Sequence, residues 1–358
     1  MADRTDVSMP SLKPMLALLA LAAAIAYLGP DGSRPASEAS AEVEGGRGRT
    51  ADSPAEIPAA GWKDILWRTY EQINEDRLLA VAAGVVFYGL LALFPAITAL
   101  VSSYALFADP STINNHLAAL SGMLPAGTYS IIEDQVKRVL AKGDVKLGLA
   151  FAVSLALAAW SANGGMKAII DALNVVYDEK EARGFIKLNA VSLTFTVCAL
   201  LAILCAIGLV VAAPIILNAV GLGGISEQIL TYGRWPALAM MIMLGLAILY
   251  RFGPSRRSPK WKWISIGGVL ATVAWLAGSA ALSYYLANFA GYDATYGSLG
   301  AAIGLMMWMW MSTIVILFGA ELNSEIEHQT VRDSTDGVPR PLGTRDAHVA
   351  DSVGETAD

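Results

Sequence analysis

Charge is scarce in this chain. Of its 358 residues 16% are charged and 55% hydrophobic, whereas a soluble domain carries roughly 25% charged residues. That balance excludes an ordinary soluble protein. A basic excess is absent too. The net charge of −6 comes from the ends, since residues 1–60 hold 8 acids and 5 bases and residues 328–358 hold 6 and 3, leaving 17 of each between them. A nucleic-acid binder needs a basic face to neutralise phosphates, so nucleic acid is not an expected partner. Cysteine is limited to Cys198 and Cys205, which on one helix stand roughly 10 Å apart, too far to bridge. The three histidines, His116, His328 and His348, show no metal-site spacing, and the chain has neither a Walker loop nor a GxSxG elbow. Catalysis by this chain is therefore disfavoured, and no cofactor or metal is expected.

What the chain does have is long apolar sequence. A bilayer core takes roughly 20 apolar residues as helix. Six uncharged stretches meet or approach that length: Leu78–Ala108, Leu147–Met166, Leu188–Ser226, Trp235–Tyr250, Trp263–Tyr292 and Thr295–Ala320. The third is long enough to include a loop, marked by Pro214 and Gly221–Gly224. The fourth is short, with Arg251 placed to snorkel. The expected fold is an all-α polytopic transmembrane helix bundle with six core spans in residues 61–327. Within residues 1–30, Met15–Leu28 is a further apolar run of signal-peptide or short-anchor length. An uncleaved extra helix is the favoured reading, because cleavage would leave the lead-in to the first span on the wrong side. Residues 31–60 read as a disordered linker and 328–358 as a disordered cytoplasmic tail.

Basic residues set the orientation. With the core N-terminus inside, the inner segments hold 12 bases and the outer ones 5, so both ends of the core are expected in the cytoplasm. Before the first span, Trp62, Ile65, Leu66, Thr69, Tyr70 and Ile73 recur on one helical face, with Lys63, Asp64, Arg68, Glu71 and Glu75 elsewhere. This predicts a helix along the inner surface, serving as an anchor or, less simply, as a gate.

Polar groups inside apolar sequence are the candidate functional residues, because ionisable side chains at membrane depth are costly. Asn163, Lys167, Asp171 and Asn174 form a helical stripe that starts beside Gly164 and Gly165. It reads either as the lining of a vestibule or as an ordinary i,i+4 pair on a cytoplasmic extension. Asp293 is the one charge between Lys262 and Glu321, and tyrosines at 284, 285, 292 and 296 surround it. Such a group suits a polar or cationic solute, and it equally suits an aromatic belt with a re-entrant turn. Glu321 and Asn323 close the sixth span. Gly300-x-x-x-Gly304 suits close helix packing, within the chain or between copies of it.

Three motifs carry a family resemblance. The run Ala82-Ala-Gly-Val-Val-Phe-Tyr88-Gly-Leu-Leu-Ala-Leu-Phe-Pro95 resembles the first span of the YihY/BrkB membrane proteins. Trp160-Ser-Ala-Asn-Gly-Gly165 with Ala172-Leu-Asn174-Val-Val-Tyr177 and Arg183 is similar to their second-span motif. Tyr296-Gly297-Ser-Leu-Gly300 with Gly319-Ala-Glu321-Leu-Asn323 supplies the third match. The resemblance implies a six-helix bacterial inner-membrane protein with both ends inside. It also brings an old label, ribonuclease BN, and a link to serum resistance and virulence in some members. A nuclease needs a metal cluster or an acid/base pair beside a phosphate site, and these residues offer neither.

The functional expectation is a transporter or exporter of a small polar solute or lipid-related molecule, with the bilayer itself as a partner. The alternative is a structural or interaction membrane protein without a path.

Overall fold

A computed structural model describes residues 46–104, 128–140, 149–209, 225–288 and 298–357. The described residues are almost entirely helical, with one isolated β-bridge between Pro259 and Thr335. Apolar chain in a bilayer must satisfy its backbone internally, which favours helices. In chain order they are α1 Ala59–Glu75, α2 Leu78–Tyr104, α3 Thr128–Leu140, α4 Leu149–Val176, α5 Phe185–Ile207, α6 Ile225–Phe252, α7 Trp261–Asn288, α8 Ser298–Glu327 and the short α9 His348–Asp351.

Five stretches are long and apolar enough to cross a membrane: Leu78–Ser103, Phe185–Ile207, Trp235–Phe252, Trp261–Leu286 and Ala302–Glu327. The sixth expected span falls in α4, a 28-residue helix of about 42 Å. It is not among the five, so six crossings remain an expectation. The run Met15–Leu28 and the turns at Pro214 and Gly221–Gly224 lie outside the described residues.

Small residues set the tightest crossings. α2 packs most extensively against α4, where a Cβ on Gly165 would lie 3.2 Å from the Ala92 Cβ and 3.5 Å from the Gly89 Cα. The resemblance motifs around Tyr88 and Gly165 therefore meet each other. At the α7–α8 crossing, a Cβ on Gly267 would stand 2.0 Å from the Gly319 carbonyl oxygen. The main apolar core gathers Leu78, Val85, Leu173, Tyr177, Leu249, Tyr250, Ile264 and Leu317.

One end of the bundle collects four segments: the α1–α2 elbow, the α4–α5 connection, the α6–α7 connection and residues 328–357. Arg183 Nη2 donates to the Gly253 carbonyl at 2.9 Å, Ser255 N donates to Asn174 Oδ1 at 2.7 Å, and His348 N donates to Glu179 Oε1 at 2.8 Å. This is called the loop end below.

One expectation needs correction here. Residues 328–357 are not a loose tail, and residues 46–58 are not loose linker. Val331 N donates to the Arg49 carbonyl, Lys260 N to Ser334 and Asp336 N to Ser258. Thr330 Oγ1 donates to the Ala51 carbonyl at 2.8 Å. The buried Arg345 guanidinium donates to the carbonyls of Val331 and Ala350. These segments are organised by backbone hydrogen bonds and buried arginines, which polar composition does not reveal.

In α1 the buried residues include Asp64 and Arg68, whereas Leu66, Trp67 and Tyr70 are exposed. Asp64 accepts from Arg47 Nη1 at 2.6 Å and from Ala357 N at 3.0 Å. Arg68 pairs with Glu325 and donates to Gln329 and to the Glu355 carbonyl. Partners from residues 46–58 and 328–357 thus bury two of its charged residues, Lys63, Glu71 and Glu75 stay exposed, and the outward Leu66, Trp67 and Tyr70 suit a helix lying along a membrane surface.

Candidate functional site

The candidate residues from the sequence separate into pins and surface groups. Asn163, buried, accepts from Thr196 Oγ1 at 3.2 Å and ties α4 to α5. Asn174, also buried, donates to Glu181 Oε2 at 3.1 Å and accepts from Ser255 N. Lys167 is half-buried with its ammonium 5.8 Å from the Trp160 ring centre, and Asp171 is exposed. Gly164 has open space where a Cβ would sit. Tyr88 is exposed beside Phe87, and Pro95 is half-buried inside α2. Asn323 bridges to α7. Glu321 is buried, and its Oε2 has no hydrogen-bond partner. Asp293, Tyr296 and Gly297 lie outside the described residues.

None of the described candidates lines the principal cavity. That cavity measures about 1990 Å³ and its wall is mainly apolar, against roughly 300–1,000 Å³ for common ligand pockets. α5 lines it from Lys187 to Ile207, α6 from Trp235 to Phe252, and the far half of α2 and Val136 of α3 contribute as well. Twenty residues of helix span about 30 Å, the thickness of a bilayer core. Trp275 and Trp308 form part of the wall with ring centres 6.0 Å apart. Their indole N–H groups are satisfied by Ser312 and Ser279 at 2.9 and 3.2 Å, so the wall needs no water there. Of the two cysteines, Cys198 faces the cavity, and both are free thiols. Sequence reasoning missed this feature because apolar cavity wall and apolar core use the same residue types.

At the loop end the wall changes character. Arg183, Lys187, Arg256 and Arg257 line it together with one acid, Asp346. Glu181 accepts from Arg183 Nε at 2.7 Å and Nη2 at 2.6 Å, and this bonding holds its carboxyl at about 2. Further along the same end, burial and then the charges of Asp178, Glu75 and Glu325 push the Asp76 carboxyl up to about 6. Exposed apolar groups surround this region: Phe185, Ile186, Phe252 and Trp261. Aromatic collars of this kind mark the head-group layer of membranes.

Long apolar helices, small-residue crossings and a bilayer-length cavity define an α-helical multi-span membrane protein. Residues 69–341 match the family model described as Virulence factor BrkB, and the chain belongs to that family. A protein named as ribonuclease-like, YfkH of Bacillus subtilis, is 30% identical over 68% of this chain and 88% of its own. UPF0761 membrane proteins of Alkalilimnicola ehrlichii and Cronobacter sakazakii are 28% and 25% identical over 73% and 74% of this chain, and 58% and 88% of their own. No solved structure matches.

Proposed function

We propose that this protein carries an amphiphilic, lipid-like molecule along its intramembrane cavity, without catalysing a reaction. The supporting observation is the cavity itself, apolar along a full bilayer thickness and basic at one end. A small polar solute would lose its hydration along such a wall with little in return, so the lipid-related branch of the sequence expectation is preferred. A purely structural role would leave the cavity without a use. The ribonuclease-like name belongs to the Bacillus relative, and nothing in the chemistry of the cavity wall suits phosphodiester cleavage.

The side of the membrane follows from charge. The loop end carries the bases assigned to the inner segments, which supports the reading that it faces the cytoplasm from a bacterial inner membrane. The test is reconstitution into liposomes, following transbilayer movement of a chain-labelled lipid beside leakage of a small polar dye. Lipid movement faster than in empty liposomes is expected, slowed by Ala239→Trp, which fills the cavity wall. Movement no faster than in empty liposomes would contradict the reading.

A further inference from the structure

We propose that the loop-end mouth of the cavity binds an anionic head group, with Lys187 and Arg257 as the groups that receive its charge. This rests on the reading of the cavity as an amphiphile path and adds the sign of the head group and the residues that hold it.

The four bases at the mouth are not equivalent. Arg183 is held by both oxygens of Glu181 and by the Gly253 carbonyl. Arg256 donates to Glu327 at 2.6 Å, with both side chains fully buried, and its guanidinium carbon lies 4.4 Å from the Tyr177 ring centre. Both guanidinium charges are matched by a carboxylate at 2.6 Å, although Arg256 keeps Nε and Nη1 buried without a hydrogen-bond partner. Lys187 is exposed and has no hydrogen bond or ion pair among the described residues. Arg257 uses one nitrogen, Nη2, on the Val338 carbonyl at 3.0 Å. Its Nη1 lies 3.9 Å from Asp333, is itself buried, and has no hydrogen-bond partner. The single acid of the mouth, Asp346, is already paired with Arg340.

Two features of the backbone agree. Lys187 is the third residue of α5, and the N-cap Gly184 provides no side-chain cap. The first N–H groups of that helix lack intrahelical partners and carry the positive end of its dipole. The mouth also sits at the exposed Phe185, Ile186 and Phe252, the level where lipid head groups lie. One unpaired cation, one arginine with a nitrogen that makes no hydrogen bond, and an uncapped helix start, next to an apolar lumen, match a molecule with one anionic end and long apolar chains. A neutral or zwitterionic head would leave this positive charge only partly balanced.

The test uses the purified full chain in detergent, titrated with phosphatidylglycerol, with phosphatidylcholine of the same chains, and with inorganic phosphate. Binding is read by intrinsic tryptophan fluorescence. Phosphatidylglycerol is expected to bind more tightly than phosphatidylcholine. Lys187→Ala should reduce that preference by about tenfold, the value of one charge-assisted hydrogen bond. Lys180→Ala, an exposed base outside the cavity wall, should leave it unchanged, and Arg257→Ala serves as the second mouth variant. Equal binding of the two lipids by the unaltered chain would overturn the head-group proposal while leaving the amphiphile reading intact. Binding of neither lipid would remove both. Phosphate that binds as tightly as phosphatidylglycerol would assign the mouth to a soluble anion and overturn the proposal.

Discussion

Asn323 of α8 is bonded at both ends of its amide to one turn of α7: its Oδ1 accepts from Gly267 N at 2.9 Å and its Nδ2 donates to the Ile264 carbonyl at 3.2 Å. The contact is available only because Gly267 and Gly319 lack side chains. Gly267→Ala is expected to destabilise the fold by about 1–3 kcal/mol or more, because the added carbon meets rigid backbone rather than a flexible side chain. Denaturant unfolding of the purified chain measures this. A change within experimental error would show that the two helices separate freely.

Arg68 and Glu325 form a buried ion pair with Gln329 and the Glu355 carbonyl as further acceptors. Removing one member leaves the other charged and buried, which costs about 3–5 kcal/mol. Arg68→Ala should show that loss and should also expose residues 328–357 to protease. A variant that resists digestion as the original does would mean the pair does not hold the segment.

Asp76 gives the stability a pH dependence of known sign. Its folded value of about 6 lies above the ordinary unfolded value of about 3.9, so the fold favours the protonated form. That contribution is fully present below about pH 4 and is lost as pH rises through about 6. Glu181 acts in the opposite sense: held at about 2, it adds stability above its ordinary value near 4.3 that disappears as pH falls toward 2. Asp76→Asn should abolish the loss between about pH 4 and 6 while leaving the acid-side loss in place. Melting temperatures across that range decide the matter, and an unchanged slope in the variant would place the titration elsewhere.

The native cysteines provide a probe. Cys198 lines the cavity and Cys205 does not. In a Cys205→Ser background, an apolar maleimide should label Cys198, and a long-chain anionic amphiphile should slow that labelling several-fold. Labelling at the same rate with the amphiphile present would mean the cavity is not where it binds.

Much of the architecture was legible because a bilayer imposes one strong demand, a long uncharged helix, and that demand is written as residue type. The glycine pair Gly164–Gly165 marks a place where a neighbour can approach, but that the neighbour is α2 at Ala92 is seen only in the fold. The loop end was not legible. Asp64 and Arg68 lie off the apolar face of an amphipathic helix, yet they are buried because distant residues such as Ala357 and Glu355 supply their partners. No local pattern announces a partner nearly three hundred residues away. The candidate residues and the cavity occupy different ground. The polar stripe drew attention, but Asn163 and Asn174 hold helices and turns together, while the cavity is walled by residues that look like ordinary core. Only its basic mouth, at Lys187 and Arg257, left a trace in sequence, and there it was counted as topology.

The clasp between residues 47–51 and residues 329–331 has a consequence for biosynthesis. Gln329 Nε2 reaches the Arg47 carbonyl and Val331 N the Arg49 carbonyl, while Ala357 N completes Asp64. Arg68 therefore finds its acceptors Glu325, Gln329 and Glu355 only in residues made much later than α1, whereas Asp64 already has Arg47. A growing chain inserts its membrane helices one after another with Arg68 still unmatched, and it is satisfied only after α8 and the residues that follow it have been made. Until then that charge stays open to solvent, so the clasp ties the packing of α1 to the synthesis of α8.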